Sequence, residues 1–312
     1  VSNRLCDHIT PGKHSSELFC EATIEFLENY GRVAPTDAPL FAYVSFLAPH
    51  DPRTMPREYL DMYDPAQIDL PPNYLPEHPF DNGEMVVRDE KLAPWPRTPE
   101  EVRRHTAEYY AMISHLDHQI GRVLETLQAT GRAENTIIVL AGDNGLAIGR
   151  HGLFGKQNMY DHSLHVPLIM CGPGIPADQR SETFCYLLDI YPTLCDLLGI
   201  PIPATVEGRS LLPALCDPGA AVRDTLCFAY RGIQRAVQDN RFKLIEYIVE
   251  NEQTTQLFDL QADPWETQDL AGDPRHAATI ARLRAELERH RDQLDDNQPG
   301  QGALFWSGYC HS

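Results

Sequence analysis

Asp143 and Asn144 place two oxygen-bearing side chains next to each other, and Gly145, Gly149, His151, Gly152, Gly155 and Lys156 follow. Adjacent oxygen ligands suit a hard cation, and a glycine beside them lets the backbone turn tightly. Lys156 would return a positive charge to the same rim, so that a metal and an ammonium group face an oxyanion. Asp-Asn-Gly alone is an ordinary turn. An apolar run before it, four glycines from Gly145 to Gly155, a histidine and a lysine are more than a turn needs. His50, in Ala48-Pro49-His50-Asp51-Pro52, is a second candidate for the same rim.

These residues need elements that project them. Thr136 to Leu140 is a short β-branched run, read as a strand buried on both faces of a parallel sheet. In an open α/β sheet, ligands bind beyond the carboxyl ends of the strands, which would carry Asp143 and Asn144 into a site. Pro39 to Leu47 reads as a second buried strand that ends just before His50. A helix capped by Ser15 or Ser16 should run to Asn29, with Gly31 beyond its end. Between Pro49 and Pro99 lie eleven of the 25 prolines, in a loop-rich stretch that serves as lid or pocket wall, or as surface wrapping.

A long helix follows from about Thr98 to Thr130, with an apolar stripe of Ile113, Leu116, Ile120, Val123, Leu124 and Leu127 and Gly131 at its end. His105, His115 and His118 lie on it as surface or packing residues, since no carboxylates accompany them at metal-site spacing. Val166 to Met170 is a further strand, and Tyr186 to Leu198 a helix closed by Gly199. Strands alternating with helices predict an α/β fold with a mostly parallel sheet flanked by helices. Beyond Pro201 the rhythm changes. Runs at 225–230, 233–237, 242–248 and 256–260 predict a small antiparallel sheet with its tightest turn at Asp239-Asn240. A helix from 277 to 294 follows, then a tail without periodicity. The expected division is therefore a main α/β part, 1–204, and a C-terminal subdomain, 205–312.

With 45 acidic against 26 basic residues and a formal charge of −19, the chain is not built to bind nucleic acid through phosphates, so an anionic substrate needs a local cationic site. No apolar run approaches the ~18 residues of a membrane span. Val1 to His8 carries no apolar signal-peptide region. The eight cysteines include no C-x-x-C pair and read mostly as small core residues.

Taken together, Asp143-Asn144-Gly145, His151-Gly152-Leu153-Phe154-Gly155-Lys156 and the upstream Ala48-Pro49-His50 resemble the type I sulfatases of the alkaline-phosphatase-like superfamily. Asp189-Ile190-Tyr191-Pro192-Thr193, Glu207-Gly208-Arg209-Ser210-Leu211 and Asn240-Arg241-Phe242-Lys243-Leu244-Ile245 continue the likeness in the family's order over nearly the whole chain. The resemblance implies a Ca2+ site completed by Asp143 and Asn144. It also implies sulfate binding and leaving-group assistance by Lys156 and His50, with His151 in the same substrate-binding stretch. A divalent ion and a lysine neutralise oxyanion charge, and a histidine near the bridging oxygen can protonate the departing alcohol. The implied substrate is a small-molecule or carbohydrate sulfate ester, and the implied compartment is the periplasm or exterior of a bacterium.

The departures are equally specific. The family's nucleophile is a formylglycine made from the cysteine of a Cys-x-Pro/Ala-x-Arg motif. That motif, a preceding aspartate pair and a Lys-x-His motif are all missing ahead of His50. The expectation is a chain that begins after them and is inactive alone. Cys227-Phe228-Ala229-Tyr230-Arg231 fits the motif formally but lies on the wrong side of Asp143, inside the antiparallel stretch. Asp295-Asp296 mimics the aspartate pair and reads as a solvated tail. The family usually carries arginine where His165 stands. Two rival readings are a phosphodiesterase or phosphonate monoester hydrolase of the same superfamily, and a truncated, non-catalytic binding protein.

Overall fold

The computed structural model describes residues 12–34 and 38–310. Cys6 and the opening residues to Pro11 fall outside them.

The chain forms two compact units, one from residues 1–70 and 99–137, the other from 71–98 and 138–312. They do not divide at residue 204, as the sequence suggested. The C-terminal sheet shares a core with residues 147–160, so the second unit takes in the glycine-rich stretch.

In the first unit, α1 (Ser15–Val33) packs on α3 (Pro99–Ala129), and so does the short α2 (Arg57–Leu60). The cap of α1 is His14, whose ring accepts from the Ser16 amide, because both serines already lie inside the helix. Gly31 does not end it. Proline stands at the first position of α3, where no amide partner is lost, and Gly131 at φ +72° terminates it. The buried face of α3 is rotated from the predicted stripe. Val102, His105, Met112, His115 and Gln119 are buried, while Ile113 and Leu124 are exposed. Contact with α1 selects the face, as where Cys20 Sγ donates to the Gln119 carbonyl at 3.3 Å. His118 is exposed and bonds the Tyr59 hydroxyl. Residues 39–47 form no ladder with any described residue, so the strand predicted there is not seen.

In the second unit, β1 (Ile138–Ala141) pairs antiparallel with β2 (Leu168–Cys171), with Val139 opposite Met170. This one pairing is antiparallel where 136–140 was read in a parallel sheet. A parallel return needs a long crossover, usually a helix laid on the sheet. Residues 142–167 contain only the four-residue helix α4 (Asp161–Leu164), and they spend their backbone bonds on turns and on the segment 71–98. β1 and β2 are also half-exposed, with Ile169 60% accessible. After them come α5 (Ile190–Leu198), closed by Gly199 at φ +66°, and α6 (Leu212–Cys216).

The C-terminal sheet is the predicted meander: β3 (Leu226–Tyr230), β4 (Gln234–Gln238), β5 (Phe242–Val249) and β6 (Glu252–Asp259), in sequence order and antiparallel throughout. Side chains alternate between two covered faces. Val237, Leu244 and Leu257 meet Leu283 and Leu287 of α7 (Ala277–Gln293). On the other face, Ala236, Ile245, Tyr247 and Phe258 meet Ala147, Leu153, Met159 and Tyr160. The glycine-rich stretch thus lies on a rigid sheet. The tail is more ordered than its sequence suggests. It holds α8 (Gln301–Gly308), and Asp296 pairs with buried Arg235 at 2.6 Å and accepts from the Trp306 indole at 2.8 Å. The Asp295-Asp296 pair is therefore not a freely solvated one. Of the described cysteines, Cys20 and Cys195 are buried, but Cys171, Cys216 and Cys310 are exposed, so the core reading of the cysteines holds only in part.

Candidate active site

Asp143 and Asn144 sit just past the last residue of β1, exposed. The Asn144 amide donates to Asp143 Oδ1 at 2.8 Å, and Asn144 Nδ2 donates to the Gly145 carbonyl at 2.9 Å. The second bond uses one of the Asn144 amide's two N–H donors and leaves its oxygen an acceptor only. Gly145 is held from below, its amide donating to the Ser163 carbonyl of α4 at 3.0 Å.

The chain then folds back on itself. Ala147 N donates to the Gly155 carbonyl at 3.0 Å and Gly149 N to the Leu153 carbonyl at 2.7 Å. The two ends of the turn are thereby side by side, with Asn144 before one and Lys156 after the other. At the tip, Gly152 has φ +72°, and a Cβ there would stand 2.3 Å from the Glu77 carbonyl carbon, so only glycine fits. The segment 71–98 frames this turn: His151 N donates to the Asn73 carbonyl at 2.7 Å and Leu75 N to that of Gly149 at 3.3 Å. Of the two readings for the proline-rich stretch, wrapping describes this part.

Lys156 is 24% accessible, and its Nζ lies 3.5 Å from Asp89 Oδ2. Burial pushes the Asp89 carboxyl up. Hydrogen bonds from Gln157 and Arg88 and the charge of Lys156 outweigh it and hold the group below its ordinary value. Glu90, next in sequence, accepts from the amides of Phe154 at 2.9 Å and Gly155 at 2.7 Å. Neither carboxylate was singled out from the sequence. Their partners lie about sixty residues onward, and a proline-rich context carries no periodicity to flag them.

His151 is 6% exposed and stacks on Tyr160 with ring centroids 3.8 Å apart, while Asn73 Nδ2 lies 3.0 Å from its Nε2. Its surroundings are those of a packing residue. Burial first, then the charges of His78, Lys243 and Arg150, lower its pKa to about 3, and burial lowers that of His78 to about 4. Both rings stay neutral in the fold at pH values where a free histidine, with a pKa near 6.5, is charged. Above that value neither state carries the protons and the full contribution to stability is present. As the pH falls below it, the unfolded chain binds protons that the fold refuses, and stability is lost down to about 3–4. The unfolding free energy from urea denaturation should therefore drop between pH 7.5 and pH 5, by about 1–2 kcal/mol for each ring, and the midpoint with it. An undiminished midpoint at pH 5 would show that the rings protonate in the fold at no cost.

His50 belongs to the first unit, is exposed, and has its Nδ1 2.8 Å from the Asp51 carbonyl oxygen. His165 is 83% accessible, with its Nδ1 3.9 Å from Asp161. Cys227 is a partly buried strand residue of β3, and burial pushes its thiol up to about 12, so thiolate is scarce near neutral pH. For a metal, Asp143 and Asn144 offer donors of the right chemistry, two oxygens of the six to eight that Ca2+ takes. Among the described residues, no group of three or more His, Cys, Asp or Glu is placed to hold an ion. The pair fits as part of a site.

Two family models match the chain: "Sulfatase" over residues 2–200 and "N-sulphoglucosamine sulphohydrolase, C-terminal" over 149–293. A choline-sulfatase of Rhizobium meliloti is 32% identical over 252 residues, 78% of this chain and 48% of the relative. An N-acetylglucosamine-6-O-sulfatase of Bacteroides thetaiotaomicron is 28% identical over 261 residues, 80% of this chain and 44% of the relative. Among solved structures, a phosphonate monoester hydrolase from Silicibacter pomeroyi superposes with a TM-score of 0.72 at 29% identity, covering 87% of this chain and 60% of that one. The chain spans about half the length of the curated relatives it matches. It belongs to the sulfatase family, with the alkaline-phosphatase-like fold.

Proposed function

We propose that this chain supplies the metal and lysine rim of a sulfuric ester hydrolase acting on sulfate esters, with sulfated carbohydrates as the substrate class. The backbone turn that pairs Ala147 with Gly155 and Gly149 with Leu153, following Asp143-Asn144 and preceding Lys156, supports the proposal. Asp143 and Asn144 would hold part of a Ca2+ site, and the bound ion would supply positive charge to the sulfate oxygens. Lys156 binds the same oxygens with its ammonium group, and Asp89 keeps that group in place between turnovers. The nucleophile, a formylglycine, is carried by a segment outside these 312 residues, and membership of the family supports that assignment. The carbohydrate reading draws on the names of the second family model and of the Bacteroides relative. Periplasmic or extracellular residence in a bacterium accords with such substrates.

A phosphonate or phosphate ester is the second reading, favoured by the likeness to a phosphonate monoester hydrolase. Matched 4-nitrophenyl sulfate, phosphate and phenylphosphonate esters decide between them. The 312 residues alone should show no turnover above background, and hydrolysis that survives Cys227→Ala would overturn the missing nucleophile. In an enzyme containing this chain and the formylglycine segment, Lys156→Ala should lower kcat/KM for the sulfate ester by about a hundredfold. Unchanged turnover there would overturn the site, and faster phosphonate than sulfate hydrolysis would overturn the ester class. Calcium-dependent carbohydrate binding without turnover in that longer enzyme would point instead to a binding protein.

A further inference from the structure

The Glu90 carboxylate is buried where nothing in the sulfate chemistry requires it. One oxygen, Oε1, accepts from Gly155 N at 2.7 Å, and the other, Oε2, accepts from Phe154 N at 2.9 Å and from Arg97 Nη2 at 2.6 Å. Arg97 is itself fully buried, held over the Trp95 ring at 3.5 Å, and donates Nη1 to the Glu90 carbonyl at 2.9 Å. The carboxylate is thus immobilised from behind and grips two consecutive amides from the front. The next residue after those amides is Lys156, whose ammonium group meets Asp89, the neighbour of Glu90. Adjacent carboxylates therefore fix the backbone and the side-chain end of one lysine.

We propose that Glu90 is a positioning residue for Lys156, clamping the Phe154 and Gly155 amides so that the ammonium group is presented at one fixed height on the sulfate rim. The assignment rests on the reading of Lys156 as a sulfate contact. Loop amides that change partners freely would let a long lysine sample many positions, each ordered anew when an anion binds. A clamp made by an ionised acceptor is stronger than one made by neutral groups. Glutamine at 90 has the same shape, but it keeps one good acceptor and turns an N–H2 toward the other amide or toward Arg97.

The test compares the longer enzyme proposed above, this chain together with its formylglycine segment, with its Glu90→Gln variant by amide hydrogen exchange and by limiting acylation of Lys156, with and without inorganic sulfate. In the variant, exchange at Phe154 and Gly155 should rise by about tenfold or more, while amides of β5 such as Ile245 keep their protection. Sulfate should slow acylation of Lys156 in the parent chain and lose most of that effect in the variant. Unchanged exchange at both amides overturns the clamp. Equal acceleration throughout β5, or local acceleration with full sulfate protection retained, makes Glu90 a merely structural group and overturns the positioning role. If sulfate fails to protect Lys156 in the parent chain, the sulfate reading of Lys156 falls. The exchange at Phe154 and Gly155 then still decides whether Glu90 holds the loop.

Discussion

Lys243→Met is expected to destabilise the fold by about 3–5 kcal/mol, the range for removing one partner of a buried ion pair. The Lys243 side chain is fully buried on β5, on the face that meets the glycine-rich stretch. Its Nζ bonds Glu266 Oε1 at 2.7 Å and the Asp161 carboxylate, and Asp161 N donates to Glu266 Oε2 at 2.9 Å. Burial alone would push the ammonium down. Two facing carboxylates outweigh it and hold Lys243 above its ordinary value, charged. Methionine matches the stem but leaves the 2% exposed Glu266 facing Asp161 with no counter-charge. Urea denaturation reads the loss directly. Lys243→Met/Glu266→Gln should recover part of it by removing the stranded charge, and a single-variant loss under about 1 kcal/mol would show that water reaches the triad. The consequence for the site is local. Asp161 opens α4, and α4 supports Gly145, so the ion triad and the Asp143-Asn144 turn are linked through one short helix.

That triad also marks where sequence reasoning ran out. The strand that carries Lys243 was legible from its apolar run, and so were the meander, the long helix before Gly131 and the strand end at Asp143, because each is a local pattern of period or punctuation. Lys243 itself was visible only as part of a family likeness. On a two-stranded surface it would face water, and it is buried because both faces of this sheet are covered. His151 was read for its chemistry, and its stacking on Tyr160 became visible only with the fold. Asp89, Glu90 and Asp296 are joined to partners about sixty or more residues away, a distance over which no local pattern informs. The pairing direction of β1 depended in turn on a connection that spends its backbone bonds on its own turns and on a proline-rich segment far upstream.

Gly145→Ala should cost about 3 kcal/mol, at the top of the usual range for overpacking. A Cβ at this position would stand 1.9 Å from the His162 carbonyl oxygen and 3.0 Å from its carbon. The obstacle is backbone on both sides, with no flexible side chain to swing away. Either the Gly145 amide surrenders its 3.0 Å bond to the Ser163 carbonyl, or α4 moves off with Asp161 and strains the Lys243 triad. Gly121→Ala is the matched control. It lies inside α3 with nothing within 4 Å of a new Cβ, and alanine there should stabilise by about 0.5–1 kcal/mol. Thermal or urea unfolding of the two variants should therefore move in opposite directions from the parent chain, and a Gly145→Ala midpoint equal to the parent's would mean that the turn has slack. Under the proposed calcium site, the same substitution in the longer enzyme proposed above should raise the calcium concentration needed for activity before it unfolds the protein. Asp143 and Asn144 hang on the residue that must shift, whereas the Lys156 end of the turn is held separately by Glu90.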